Sequence, residues 1–294
     1  MYFVVQLLNG LQLGAIYALI ALGYTMVYGV IKLINFAHGD LMMMAAYFAL
    51  IAMAKGAHPL LALAISIILT TVLGVLIERI AYKPLRKSSR LSALITAIGV
   101  SLLLQNVAML IWGSGAKTYP NLQASLPSFN IGHNTISSLS IITVVLAVLV
   151  MIGLYFFGEK SKVGTAMRAV SEDMEAAELM GINVNHTISA TFAIGSALAA
   201  LAAFLLCAAY PQVTPYIGAM PGIKAFIAAV IGGIGIVPGA MVGGFILGII
   251  EALTKGFIPS QYSALSDAVV FAILIVVLLI KPSGIFGKVQ GEKV

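Results

Sequence analysis

Long stretches of this chain contain almost no charged residues, and this limits the folds that the chain can adopt. Only 9% of its 294 residues are Asp, Glu, Lys or Arg, whereas 61% are hydrophobic. A soluble domain of this length needs more charged residues than this to cover its surface. Apolar runs of about twenty residues are long enough to cross a bilayer as helices. The composition therefore predicts an all-α, polytopic helical transmembrane protein.

Eight apolar segments follow one another along the chain. They cover approximately residues 3–30, 41–54, 60–77, 91–112, 139–157, 188–209, 222–250 and 264–280. The seventh segment is interrupted at 232–239, where glycine and proline favour two short helices joined by a turn. Such a break is tolerated at membrane depth where protein or water covers the freed backbone groups. We therefore expect eight or nine membrane segments in a single transmembrane domain, 1–294.

The distribution of basic residues among the loops predicts the orientation in the membrane. The most basic loop, 79–90, contains Arg79, Lys83, Arg86, Lys87 and Arg90. With nine segments, this loop lies on the same side as the loop 158–187 and the tail from 281. Because Lys and Arg accumulate in cytoplasmic loops, we expect that side to be cytoplasmic, with the amino terminus outside and the carboxyl terminus inside. The loop 113–138 has a single Lys and no Arg, which predicts an extracytoplasmic loop.

A short acidic helix is predicted at 171–181, between two apolar segments. Four of the ten acidic residues of the chain lie within seven positions there, namely Glu172, Asp173, Glu175 and Glu178. By itself, such a helix is typical of a solvated connector.

The ends and faces of this helix are also predicted from its residue types. Ser171 is a good N-cap, and Glu172 and Asp173 would then lie in the first turn, where the helix dipole favours negative charge. Gly181 stands where a helix often ends in a left-handed residue. Met174, Ala177 and Met180 recur every three residues and predict one narrow apolar stripe, formed by these three side chains.

Several functional classes lack their sequence motifs. There is no phosphate-binding Gly-x-x-x-x-Gly-Lys-Ser/Thr loop, no His-Glu-x-x-His or paired-cysteine spacing, and no Gly-x-Ser-x-Gly nucleophile motif. We expect neither a cofactor, a metal site nor an enzymatic activity in this chain. The net charge of +6 is assigned to the cytoplasmic loops and not to nucleic-acid binding. Any energy must come from an ion gradient or from a partner protein.

A gradient-driven carrier usually has ionisable groups deep in the membrane. Asp40 and Asp267 stand at the starts of segments, and Glu251 stands towards the end of its segment, so we expect helix-terminus residues. Glu78 is expected at the cytoplasmic interface. This pattern disfavours a carrier.

Uncharged polar residues provide the candidates for a translocation path. They are Asn9, Gln12, Gln105 and Asn106 within the apolar segments and Asn35 in the break after the first segment. Such groups commonly form hydrogen bonds between membrane helices, and they can also line a path. Residue type alone does not separate the two roles.

Several motifs resemble those of a known transporter family. Glu175-Ala-Ala-x-x-x-Gly181 is similar to a signature of ABC importer permeases, although the Ile-x-Leu-Pro element of the fuller signature is missing at 188–191. The stretches 9–29, 34–43, 158–180 and 281–287 resemble branched-chain amino acid permeases, with Ile34-Asn-Phe-Ala-His-Gly-Asp-Leu-Met-Met43 the most specific of them. The resemblance is to the first of two homologous high-affinity leucine, isoleucine and valine permeases.

The resemblance implies an importer in a bacterial inner membrane. Its partners would be a second homologous permease, two cytoplasmic ATP-binding subunits and an extracytoplasmic amino-acid-binding protein, in addition to membrane lipid. The acidic helix would dock on an ATPase, with the Met stripe as the seat and the acids at the rim. The implied docking residues are Ser171, Glu172, Asp173, Met174, Glu175, Ala176, Ala177, Glu178, Met180 and Gly181.

Three other functions remain open at this stage. Relatives of the same shape import urea, short amides or other amino acids. A gradient-driven carrier or a channel would transport without an ATPase. A membrane scaffold without a transport role is disfavoured by the interrupted segment, because a broken helix facing lipid is costly.

Overall fold

The computed structural model describes residues 2–86, 88–125, 127–131, 134–262 and 265–287. Within these ranges, the chain is built almost wholly of helices. They are α1 Tyr2–Ile31, α2 His38–Ala54, α3 Pro59–Ile77, α4 Arg90–Trp112, α5 Ser138–Lys160, α6 Lys162–Glu172, α7 Met174–Leu179, α8 Val184–Ala209, α9 Ala219–Gly232, α10 Val237–Phe257 and α11 Leu265–Ile280. The predicted all-α, polytopic class is confirmed. Lys87 of the basic loop and the tail beyond 287 lie outside the described residues.

Nine of these helices are apolar. Six are long enough to cross a bilayer, namely α1, α3 with its continuation to Leu85, α4, α5, α8 and α10. The shorter apolar helices are α2, α9 and α11. The interrupted segment is indeed divided, since α9 ends at Gly232 and α10 begins at Val237. Gly233 and Gly235 between them have φ angles of 106° and 90°, a conformation that glycine adopts without strain.

The helix α1 lies at the centre of the bundle and is buried along most of its length. It packs against α8, α9 and α10, whereas α3 and α4 expose large apolar side chains along one face. Gly10 and Gly14 let α1 approach the backbone of α10, because a Cβ on Gly14 would lie only 2.8 Å from the Cα of Phe245. Small residues allow membrane helices to pack this closely.

Four short strands lie at one end of the helical bundle. They are β1 Lys117–Thr118, β2 Ser128–Ile131, β3 Asn134–Ser137 and β4 Gln212–Val213. β1 pairs with β4 and β2 pairs with β3, both antiparallel. Both pairs involve the polar loop 113–138, so that loop is partly ordered by backbone hydrogen bonds.

The end of α3 forms a π-helical turn, Glu78–Tyr82. The carboxylate of Glu78 is buried, forms an ion pair with Arg86 and accepts a hydrogen bond of 2.7 Å from the hydroxyl of Ser189. Arg86 also donates to the side chain of Asn185 at 2.7 Å. Glu78 therefore links α3 to the start of α8, and its position at the cytoplasmic interface stays a prediction.

The segment 281–287 closes the turn between α9 and α10. The backbone N–H groups of Ile285 and Phe286 donate to the carbonyls of Ile231 and Gly232 at 2.8 and 3.1 Å. These carbonyls belong to the last turn of α9, which has no partner for them within the helix. The Pro-Ser-Gly motif after α11 thus completes the interrupted pair.

Candidate functional site: the α6–α7 loop and a polar cavity

The acidic stretch is the junction of two helices. Ser171 lies inside α6, and its hydroxyl donates to the carbonyl of Arg168 at 2.7 Å, so the prediction of an N-cap at Ser171 is wrong. Asp173 is the N-cap of α7, and its carboxylate accepts from the N–H groups of Glu175 and Ala176 at 2.9 and 3.0 Å. The chain turns at Asp173 because its backbone is extended there. Glu172 consequently ends α6 and does not lie in the first turn of α7.

The carboxyl end of α7 is closed as the sequence predicts. Gly181 has a φ of 83°, and its N–H donates to the carbonyl of Glu178 at 2.9 Å. The N–H of Ile182 donates to the carbonyl of Ala177 at 3.0 Å. These two bonds form the Schellman arrangement, which satisfies carbonyls left free at a helix end. The Glu-Ala-Ala-x-x-x-Gly motif therefore encodes a capped helix of fixed length.

The faces of α7 differ from the predicted stripe. Met174 and Ala177 pack against the core of the chain itself. Met180 is 83% exposed, and its neighbour Leu179 is 89% exposed. The three-residue spacing fails because α7 ends at Leu179, so Met180 leaves the face that Met174 and Ala177 share. The apolar surface that a partner would meet is Leu179 and Met180.

The four acids of this loop all point away from the bundle. Glu172, Asp173, Glu175 and Glu178 are exposed, and in the described part of the chain none of them forms an ion pair. Arg168, the nearest guanidinium in sequence, instead donates to the carbonyls of Gly158 and Glu159 at the end of α5. We call Glu175, Ala176, Glu178, Leu179 and Met180 the exposed face of α7.

Two of the predicted path residues come together at a cavity of about 390 Å³, which we call the polar cavity. Asn9 and Gln12 line it from α1, and the amide oxygen of Gln12 accepts from the hydroxyl of Ser140 at 2.7 Å. Tyr210 and Lys255 line the opposite wall. Amide, hydroxyl and ammonium groups thus surround one space.

The other three candidates lie elsewhere. Asn35 is buried at the α1–α2 corner, where its amide oxygen accepts from the N–H of Ala37 at 3.1 Å and the hydroxyl of Tyr82 at 2.8 Å. Gln105 donates to the carboxylate of Asp40 at 2.9 Å beside a separate cavity of about 200 Å³. Asn106 donates to the carbonyl of Leu102 on its own helix at 2.7 Å and is exposed. Asn35 thus makes the kind of hydrogen bond between segments that is typical of packing residues, whereas Gln105 combines such a bond with a position in a cavity wall.

A buried charge cluster is the feature that sequence reasoning missed. Glu251 is 1% exposed, and one carboxylate oxygen accepts from Lys224 at 2.7 Å and from Lys255 at 2.6 Å. The hydroxyl of Tyr17 donates to the other oxygen at 2.8 Å, and Lys224 also reaches Asp267 at 2.7 Å. The i, i+4 spacing of Glu251 and Lys255 was the one sequence signal for this cluster.

The cluster corrects the interpretation of the acidic residues. Asp40 and Asp267 do lie in the first turns of α2 and α11. Asp40 is nevertheless buried, and Glu251 lies a turn and a half before the end of α10, inside the bundle. The expectation of helix-terminus residues is therefore correct for Asp40 and Asp267 and wrong for Glu251, whose position no longer argues against a carrier.

Helices with exposed apolar faces flank the buried α1 and the interrupted pair, and polar cavities lie between the helices, an arrangement that suits a membrane permease. The chain belongs to the family described as "Branched-chain amino acid transport system / permease component", which matches residues 6–278. The resemblance inferred from the motifs is thereby confirmed.

Two relatives match over nearly their full lengths. The high-affinity branched-chain amino acid transport system permease protein BraD of Pseudomonas aeruginosa is 48% identical over 100% of this chain and 98% of that protein. LivH of Escherichia coli K12, which carries the same description, is 46% identical with the same coverage. A solved structure, PsaBC from Streptococcus pneumoniae in complex with Fab, aligns over 97% of this chain and 92% of that one with a TM-score of 0.47 at 14% identity.

Proposed function

We propose that this chain is the transmembrane subunit of an ATP-driven importer of branched-chain amino acids, and that separate ATPase subunits supply its energy. Its partners would be a second homologous permease, two cytoplasmic ATP-binding subunits and an extracytoplasmic binding protein. The membrane would be a bacterial inner membrane, with the amino terminus outside and the carboxyl terminus in the cytoplasm. The names of BraD and LivH support the substrate class.

The observation that carries the proposal is the exposed face of α7. A six-residue helix is marginal in isolation, yet this one is capped at both ends and anchored by Met174 and Ala177. It presents two large apolar side chains to solvent, near acids that form no ion pair among the described residues. A soluble connector has no need of this rigidity or of exposed Leu179 and Met180. Such a surface suits docking in a groove of a partner.

The position of α6 and α7 suits the transmission of movement as well as docking. A cavity of about 370 Å³ lies between α6, the ends of α1 and α5, and the α9–α10 turn. Arg168 and Ser171 line it from α6, and Gly235 lines it from the turn. An ATPase that moves α6 and α7 would act directly beside the interrupted helix pair. We place Asn9, Gln12 and Gln105 on the proposed path, because each of them lines one of the cavities described above.

Reconstitution with candidate ATPases tests the proposal. We expect the chain to co-purify with two ATP-binding subunits, a second permease and a binding protein, and to take up leucine only when ATP is present. Glu175→Lys should abolish substrate-stimulated ATP hydrolysis while the variant still inserts into the membrane. Leucine uptake by the purified chain alone, abolished when an ion gradient is dissipated, would instead establish a secondary carrier.

A further inference from the structure

We propose that Lys255 binds the carboxylate of a zwitterionic amino acid in the polar cavity, by exchanging Glu251 for the ligand. This inference deepens the proposed function and rests on it. It assigns a ligand-binding role to a residue that is not part of the docking loop.

Lys255 is the accessible member of the charge cluster. Its side chain is 50% exposed, whereas those of Lys224 and Glu251 are 6% and 1% exposed. It also lines the polar cavity, which neither of the other two does. Its ammonium is therefore the one cation of the cluster that a solute in the cavity can reach.

Glu251 remains compensated when Lys255 turns away. Lys224 stays at 2.7 Å from one carboxylate oxygen, and the hydroxyl of Tyr17 stays at 2.8 Å from the other. Removing the sole partner of a buried charge is strongly unfavourable, but here a second cation and a neutral donor remain. Lys255 already lies half in water, so exchanging one carboxylate for another changes its environment little.

Lys224, and not Lys255, is the lysine that links helices. Lys224 joins Glu251 on α10 to Asp267 on α11, both at 2.7 Å, and thus holds three helices together. Lys255 contacts Glu251 one turn away on its own helix. Because Lys255 is half exposed and Lys224 remains on the same carboxylate, this i, i+4 pair contributes less to stability than the buried pair of Lys224. Anchoring therefore does not account for Lys255.

The remaining walls of the cavity fit the rest of an amino acid. Amide oxygens of Gln6, Asn9 and Gln12 are acceptors suited to an α-ammonium. Leu13 and Leu139 provide apolar surface for a branched side chain. The volume of about 390 Å³ is within the range of small-ligand sites, about 300–1,000 Å³.

Measuring the binding of both leucine and leucinamide distinguishes a contact with the ligand carboxylate from a structural effect of replacing Lys255. The complex of permeases and ATPases is purified in nanodiscs without its binding protein, and the affinities for leucine and for leucinamide are measured by saturation-transfer NMR. Leucinamide keeps the ammonium and the side chain but has no carboxylate. We expect Lys255→Gln to weaken leucine binding at least tenfold, because the variant loses the contact with the leucine carboxylate. Leucinamide does not make this contact, so its weaker binding should be unchanged.

Two variants serve as controls. Lys255→Arg keeps the charge and should retain most of the leucine affinity. Lys55→Gln removes an exposed lysine from the α2–α3 turn and should behave as wild type. An equal loss for leucine and leucinamide in Lys255→Gln would overturn the proposal in favour of a structural role. An unchanged affinity for leucine, or no leucine binding by a wild-type complex that transports it, would overturn it as well.

Failure of the proposed function gives a different result from failure of this inference. If the chain is no ATP-driven importer, the wild-type complex with its binding protein shows no leucine-stimulated ATP hydrolysis. If only the inference is wrong, the wild-type complex still shows that stimulation and takes up leucine, and only the comparison of leucine with leucinamide in Lys255→Gln fails.

Discussion

Two residues of the same type can have different roles in this protein, because their surroundings differ. Lys224 and Lys255 are both lysines near the same carboxylate, yet one is sealed inside the bundle and the other borders a cavity. Burial makes a charge dependent on its partner, because there is no water to replace it. The two lysines should therefore differ sharply in what their removal costs.

Lys224→Met should destabilise the protein by about 1–3 kcal/mol, because it removes the buried ammonium that joins Glu251 to Asp267, while Lys255 remains on Glu251. Lys255→Gln should cost less than about 1 kcal/mol. Thermal unfolding of both variants in the same detergent measures the difference. Equal stabilities would contradict the assignment of Lys224 as the anchor of α11.

Gly181 and Gly56 form a matched pair for testing the end of α7. Both have a positive φ, 83° and 87°, and a Cβ on either would meet no neighbouring atom. Gly→Ala should cost each about 1–2 kcal/mol, because an L-residue is strained in this conformation. Only Gly181→Ala should also reduce substrate-stimulated ATP hydrolysis, since only that residue shapes the proposed docking helix. The same loss of stimulation in Gly56→Ala would show that stability alone explains the effect.

At the scale of helices, the central interface is made by glycines. α1 and α10 approach so closely that a Cβ on Gly248 would collide with the backbone nitrogen of Gly14. In a membrane, helices gain little from burying apolar surface against each other instead of lipid, so close packing must supply the association. The interrupted pair α9 and α10 is held against α1 in this way.

Gly248→Ala should destabilise the bundle by about 1–3 kcal/mol, because the added methyl group forces two backbones apart. Gly99→Ala on α4 is the control, since its Cβ would meet nothing within 4 Å. That change should be neutral or slightly stabilising, because Ala favours helix more than Gly does. Unfolding temperatures in detergent report both effects. A neutral Gly248→Ala would contradict the close contact of α1 with α10.

At the scale of the whole molecule, the buried and exposed surfaces indicate where other molecules belong. α1 and α8 are enclosed by their neighbours, whereas α3, α4 and α5 expose apolar faces that suit lipid or a second permease. The exposed face of α7 lies outside this belt and combines charge with two apolar side chains.

Replacing Leu179 and Met180 together with Ser should release the ATPase subunits, because apolar anchors dominate docking energies. Neutralising the acids with Glu172→Gln, Glu175→Gln and Glu178→Gln should weaken binding less, and mainly at low salt. Co-purification of ATPase at two salt concentrations measures both. Leu110→Ser on α4, which removes an equally exposed leucine elsewhere, should retain the ATPase. If the variant with neutralised acids lost more ATPase than the Leu179/Met180 variant, the proposal that Leu179 and Met180 are the main docking contact would be wrong.

Local rules predicted the parts of this protein that depend on neighbours in sequence. The apolar segments coincide with helices to within a few residues, the interrupted segment divides at its glycines, and Gly181 ends α7. Rules of this kind failed at the junction of α6 and α7, where the same residues could belong to either helix. Ser171 is a suitable N-cap, but α6 continues through it, and Asp173 takes the role two residues later.

The sequence by itself determined that this chain is a helical membrane protein, where its apolar helices run, and which family its motifs resemble. These properties follow from hydropathy, backbone propensities and short motifs, all of which act within a few residues. Only the tertiary structure decided which polar groups meet. It joined Lys224 to Glu251 and Asp267, brought Asn9 and Gln12 to the same cavity as Lys255, and turned Met174 inwards. The reason is that a charge or an amide within a membrane must find its partner on another helix, and sequence distance does not reveal which helices touch.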